Sequence, residues 1–191
     1  MASDVKVLKE EILSDSWYTL KKYTIEMTKH DGSRIQLVRE AYDRGNGAVI
    51  LLYNRNRGSV ILTRQFRLPT FLNGNKDGML IEACAGLLDN EHPEDAIVRE
   101  TQEETGFRIK EVKRVMEVYM SPGSVTELLY FFVAQFEPAE KTDEGGGVDG
   151  EDIEVLELPF AKTLDMIKSG EIKDAKTIML LYHAAVQKLL S

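Results

Sequence analysis

The chain has 191 residues, 43% hydrophobic and 29% charged, with a formal charge of −8. That length suits one domain, or one domain with a small addition, and the apolar content is enough for a core. The charge excludes a nucleic-acid binder, because no Lys/Arg-rich block offsets repulsion from a phosphate backbone, and an anionic substrate would need a metal ion or a local basic pocket. Cys84 is the single cysteine, so no internal disulfide can form, which suits a reducing cytosol. The opening residues MASDVKVLKEEIL hold no apolar signal core. The longest nearly apolar run, LLYFFVAQF (128–136), falls far short of the ~20 residues of a membrane helix. The expectation is a cytoplasmic protein with no membrane partner.

Residues 5–42 alternate in character, and the dipeptide Asp31-Gly32 separates YTLKKYTIEM from RIQLVREAY. Asp-Gly between β-rich runs predicts a hairpin, so this opening segment reads as a small antiparallel β unit. DRGNG (43–47) marks a boundary, giving an N-terminal β domain over 1–44 and a larger domain over 45–191. AVILLYN (48–54) and SVILTRQFR (59–67) read as buried strands around the turn RNRG, FLNGNKDG (71–78) as a loop, and MLIEAC (79–84) as one further strand. HPEDAIVRETQEETG (92–106) carries helix punctuation: Pro93 at the first position, Glu94 and Asp95 in the first turn, Gly106 just past the end. Strands follow over 109–120 and 126–137, then a flexible acidic loop over 140–152, a strand over 153–160 and helices over 161–170 and 176–190. A strand-rich chain with one internal helix and two late ones is α+β or a mixed α/β/α sandwich.

On the internal helix Glu100, Glu103 and Glu104 stand at i, i+3 and i+4, so their carboxylates share one face. Like charges at that spacing cost an isolated helix ~0.2–0.5 kcal/mol per pair, and Arg99 recovers part of it by pairing with Glu103. Either this is an ordinary solvated face, or something cationic sits on it. The strand–turn–helix context favours the cation, since clustered carboxylates beside exposed backbone suit Mg²⁺, a hard, oxygen-seeking ion. The three histidines, His30, His92 and His183, show no ligand spacing for zinc.

The segment from Gly86 through Arg99-Glu100-x-x-Glu103-Glu104-x-Gly106-Phe107 resembles a Nudix box, G-x5-E-x7-R-E-U-x-E-E-x-G-U. Two departures stand out. Arg99 follows Gly86 by thirteen positions where the pattern has fourteen, so the early glutamate falls on Glu91 or is replaced by His92, and Thr101 replaces the usual aliphatic. DRGNGAVILLYN, RQFR, EACAGLLDN, YMSPGSVTELLYFF and GGGVDGEDIEVLELPF extend the likeness over nearly the whole chain, to the bacterial GDP-mannose pyrophosphatases of the ADP-ribose-pyrophosphatase-like branch.

That resemblance implies an α/β/α Nudix sandwich with a mixed sheet, and a small N-terminal antiparallel β domain exchanged between the subunits of a homodimer. It implies Mg²⁺-dependent hydrolysis of a nucleotide sugar, GDP-mannose to GMP and mannose 1-phosphate, with Mn²⁺ as the alternative ion. Its metal ligands would be Glu100, Glu104, the backbone oxygen of Ala85, and Glu151 from the acidic loop. Glu151 and Glu103 would serve the attacking water. Arg67, Arg39 and Lys176 would meet phosphate, Ala85 and Gly86 would border the substrate, Trp17 would stack on the base, and Glu127 would accept hydrogen bonds from the sugar or guanine. From the residues alone, GGGVDGED also reads as an acidic linker and Trp17 as a half-buried core residue. Cleavage of ADP-ribose, attack at the anomeric carbon and a non-catalytic nucleotide-sugar sensor are the rival functions.

Overall fold

The computed structural model describes residues 4–148 and 150–190. Contacts divide the chain into two compact units, Met1–Asn46 with Tyr119–Leu128, and Gly47–Val118 with Leu129–Ser191.

In the first unit β1 (Val5–Asp15), β2 (Thr19–Thr28) and β3 (Arg34–Asp43) form an antiparallel sheet in sequence order. The β2–β3 hairpin turns where the Asp-Gly signal predicts it. Gly32 takes φ 80°, a left-handed value that glycine adopts without strain, and the Asp31 carboxylate accepts from the Ser33 amide at 2.9 Å. The segment Tyr119–Leu128 docks on this unit through the parallel bridge Tyr42–Val125.

The second unit is built on a seven-stranded mixed sheet. Its path runs β10 (Glu154–Pro159), β5 (Ser59–Phe66), β4 (Gly47–Asn54), β9 (Leu128–Gln135), β8 (Lys113–Tyr119), with β6 (Met79–Glu82) on β5 and β7 (Ala85–Leu87) on β4. β4 and β9 are parallel neighbours at its centre, and both faces of each are covered. Their apolar runs are therefore continuous rather than alternating: Val49, Ile50, Leu51, Phe131 and Phe132 are wholly buried. Ala48, Ile50 and Leu52 pack with Phe132, Phe136 and Phe107 against Ile97 of α2 (Pro93–Thr105). Val49 and Leu51 point to the opposite face, where α4 (Ala175–Val186) packs on β4 and contributes the buried Leu180, Leu181 and Ala184. α3 (Phe160–Ser169) leans on α4 and β10. This is the expected α/β/α sandwich.

Two expectations change. Leu68–Leu72, just before and into the expected loop, form a short helix, α1, with Pro69 at its start. MLIEAC is not one strand, because the chain changes partners after Glu82. The Ala83 amide leaves the ladder and donates to Thr177 Oγ1 on α4 at 2.7 Å, while the Cys84 carbonyl accepts from the Ile50 amide at 2.9 Å. β7 then pairs with β4 through Val49–Ala85, where β6 had paired with β5. The step carries Ala85 and Gly86 alongside α2.

Candidate active site

The shortened box turn closes through two successive left-handed residues, Asp89 (φ 45°) and Asn90 (φ 71°), with the Glu91 amide donating to the Leu88 carbonyl at 2.7 Å. Asx residues tolerate that conformation best among non-glycines. The turn places Glu91 3.3 Å from Arg99, and His92 takes the extended N-cap position of α2. Thr101 is fully buried, and its hydroxyl donates to the Ile97 carbonyl at 2.6 Å, which explains how a polar residue stands at an aliphatic position. At the other end Gly106 is left-handed (φ 73°) and closes the helix onto Gln102.

Arg99 is the organiser of the helix face. It reaches Glu91, Glu100 (3.0 Å) and Glu103 (2.9 Å). Burial opposes its charge, but Glu100, Glu91 and Glu103 more than compensate and raise its pKa. Glu100 and Glu104 turn inward. A Cβ at Gly86 would lie 2.0 Å from the Glu100 Cδ, so any side chain there would push the carboxylate aside. Glu104 is 4% exposed and accepts from the Ala85 amide at 3.3 Å. Burial pushes its carboxyl up to about 7, and the charges of Glu100 and Glu151 push the same way. Glu100 is also raised, first by burial, with Arg99 opposing. Behind Glu104 lies Cys84, whose thiol burial lifts well above its ordinary range, so it is inert packing.

Among the described residues no three acidic, His or Cys side chains converge as a ready metal cluster. What exists is a pair of inward carboxylates beside main chain, with the charge of Glu151 felt by both. Glu104 has no ion-pair partner among the described residues. A buried carboxylate pushed up in this way is stabilised by a cation, and an all-oxygen donor set fits a hard divalent ion.

A second polar group, missed at the sequence level, sits at the edge of the sheet. Glu82 is 3% exposed and accepts from Arg67 Nε at 2.6 Å and from Lys176 Nζ. Lys176 also meets Asp174 at 2.9 Å, and Asp174 caps α4 by accepting from the Thr177 amide at 2.9 Å. Both cations keep raised pKa values: burial works against the charge and the Glu82 and Asp174 carboxylates outweigh it for Lys176, with Glu82 leading for Arg67. Arg67 spends only Nε on Glu82, and its Nη atoms have no hydrogen-bond partner among the described residues. One signal was readable: a lone acid interrupting the apolar run of MLIEAC needs a buried cation.

Trp17, Arg39 and Glu127 belong to the first unit. Trp17 is 85% exposed, which removes the reading of it as a half-buried core residue. Arg39 is exposed and donates to the Val38 carbonyl at 2.7 Å. Glu127 faces Arg44 at 3.6 Å, and Arg44 lies over the Tyr18 ring at 5.4 Å. Arg67, Ala85, Gly86, Glu100, Glu103, Glu104, Glu151 and Lys176 are all in the second unit.

Two family models match the chain, and their boundary at 42/43 differs from that of the units, since Tyr119–Leu128 of the first unit lies inside the second match. Residues 43–181 match the NUDIX domain family, and residues 4–42 match the family described as the GDP-mannose pyrophosphatase NudK N-terminal domain. The GDP-mannose pyrophosphatase of Klebsiella pneumoniae is 52% identical over all of this chain and 96% of its own length. Those of Salmonella typhimurium and an Enterobacter species are 52% identical over the full length of both chains. A crystal structure of an ADP compounds hydrolase shares the fold, with TM-score 0.69 at 20% identity, covering 93% of this chain and 90% of that one.

Proposed function

The chain belongs to the Nudix hydrolase family, and we propose that it hydrolyses GDP-mannose to GMP and mannose 1-phosphate. The observation that carries the reaction class is the box helix with Glu100 and Glu104 turned inward against β7. The substrate rests on full-length likeness to GDP-mannose pyrophosphatases.

Glu100, Glu104 and the Ala85 carbonyl would hold Mg²⁺, or Mn²⁺ in its place, joined by Glu151. A divalent ion there offsets charge on the phosphoryl oxygens and acidifies water. Glu151 takes the proton of the attacking water as its oxygen bonds to phosphorus, and the bridging P–O bond breaks with its electron pair leaving on the departing phosphate. Glu103 orients that water while Arg99 fixes its carboxylate. The open Nη atoms of Arg67 and the ammonium of Lys176 receive phosphate oxygens. Trp17, exposed as a stacking residue must be, takes the guanine, with Arg39 on phosphate, Gly86 beside the substrate and Glu127 on the sugar or base. The N-terminal β domain, residues 1–44, serves dimerisation and completes the substrate site of a cytoplasmic homodimer.

The test is product analysis with GDP-mannose and Mg²⁺ in H₂¹⁸O, with ADP-ribose alongside and Glu100→Gln as control. The expected result is GMP and mannose 1-phosphate with ¹⁸O on one phosphate, and turnover lost by roughly 10²-fold or more in the variant. GDP with labelled mannose would move attack to carbon. Turnover of ADP-ribose alone would overturn the substrate, and no turnover above the variant would leave a nucleotide-sugar sensor.

A further inference from the structure

The acidic loop expected to be flexible is tied at its root to the end of the box helix. Its first part runs beside the residues that follow α2: the Arg108 amide donates to the Glu140 carbonyl at 2.9 Å and the Thr142 amide to the Gly106 carbonyl at 2.8 Å. The glycine run then crosses the helix terminus. The Gly146 amide donates to the Glu104 carbonyl at 2.9 Å and the Gly147 amide to the Glu103 carbonyl at 3.1 Å. These acceptors belong to the last turn of α2, where helices leave carbonyls unpaired. The loop thus caps the helix through the main chain of the two residues that carry box carboxylates.

The spacing is so close that side chains are barred at three positions. A Cβ at Gly145 would lie 2.4 Å from the Glu104 carbonyl oxygen, one at Gly106 would lie 2.1 Å from the Asp143 carbonyl oxygen, and one at Gly147 would lie 2.5 Å from Glu151 Oε2. Gly150 has the same left-handed backbone (φ 89°) and open space where a Cβ would be. Glycine is needed at Gly145 and Gly147 for contact, and at Gly150 for backbone conformation alone. Beyond the clamp, Glu151 closes a small turn: its amide donates to the Val148 carbonyl at 3.1 Å and its carboxylate accepts from the Val148 amide at 3.1 Å.

We infer that Gly145 and Gly147 are positioning residues that clamp the root of the loop to the C-terminus of the box helix and so set where Glu151 stands relative to that helix. The place of Glu151 is then set by the same helix turn that presents Glu103 and Glu104. This rests on the proposed function for its kinetic arm, and stands apart from it in its exchange arm.

Amide hydrogen exchange on the full-length, metal-free protein reads the clamp without turnover. Gly146 and Gly147 amides are expected to exchange at least roughly tenfold more slowly than the Gly150 amide, and equal rates would overturn the clamp. In kinetics with GDP-mannose, Gly145→Ala is expected to lower kcat by roughly 10²-fold, as for a catalytic group moved by about an ångström. Gly150→Ala is expected to stay within about threefold of wild type, because it carries backbone strain without a clash. Placed in a Glu151→Gln background, Gly145→Ala is expected to add nothing further. Additive losses, or equal losses in Gly145→Ala and Gly150→Ala, would show a structural role only and overturn the assignment. Absence of wild-type turnover with protected Gly146 and Gly147 amides would sink the proposed function and leave the clamp standing.

Discussion

At the residue scale the chemistry turns on Glu104, an acid whose carboxyl sits at about 7 in the folded chain against an ordinary 4.5. A carboxyl raised on folding contributes stability that is fully present below pH 4.5 and is lost as pH rises through 7. The metal-free protein should therefore lose on the order of 3 kcal/mol between pH 4.5 and 8 from this group. Urea unfolding in EDTA at several pH values checks it, with Glu104→Gln expected to flatten the profile. Mg²⁺ should restore stability most at pH 8 and release protons below 7, since a ligating carboxylate must be ionised. A wild-type profile as flat as the variant's would sink this account. Gly86 makes a sharper case. Gly86→Ala puts a methyl 2.0 Å from the Glu100 Cδ and should reduce turnover by roughly 10²-fold, the loss expected of Glu100→Gln itself. The fold should survive it, since β7 is short and the displaced atoms are a side chain; circular dichroism separates misfolding from misplacement.

At the element scale, what was legible followed from local chemistry. α2 is marked by Pro93, Glu94, Asp95 and Gly106 and is found at Pro93–Thr105, because caps and turns act within a few residues. The β2–β3 hairpin and the buried runs of β4 and β9 were readable for the same reason. The split of MLIEAC was not, because its cause is a Thr177 hydroxyl 94 positions away. Nor were the partners of Glu82: the lone acid in MLIEAC signals a buried cation, but Arg67 and Lys176 lie 15 and 94 positions away and meet it only in the fold. The glycine run reads as a linker from composition, and only the helix end it lies against reveals that the glycines are contacts. Thr177 tests the long-range link. It accepts from the Ala83 amide at 2.7 Å and donates to Asp174 at 2.6 Å at the start of α4. Thr177→Val keeps the shape and strands the Ala83 amide, so the chain should lose about 1–3 kcal/mol in urea unfolding. Loss below about 0.5 kcal/mol, the level of an ordinary surface change, would show that water replaces the hydroxyl and that the strand switch does not depend on it.

At the scale of the whole molecule, the first unit poses a burial problem that its own three strands do not solve. β1 leaves Val5, Val7, Leu8, Ile12 and Leu13 between 43% and 61% exposed, and Val38 on β3 is 51% exposed. A sheet of three strands is stable when one face finds a partner, and large apolar side chains left exposed together on one element point to an association surface. A second copy of the chain is the partner expected here, because a self-complementary face closes on itself through a two-fold axis. The protein should sediment at micromolar concentration at twice the 21.6 kDa chain mass. Across a two-fold axis every substitution enters twice, so Ile12→Asp should cost roughly 3–6 kcal/mol per dimer and raise Kd by about two to four decades. The variant should then sediment at the single-chain mass while α2 and its carboxylates, which lie in the other unit, keep their Mg²⁺ response in unfolding. If Trp17, Arg39 and Glu127 complete the substrate site through the partner, turnover of the variant should regain wild-type levels as protein concentration rises past its new Kd. Wild-type protein sedimenting at 21.6 kDa across that range would remove both the dimer and the partner's share in the site.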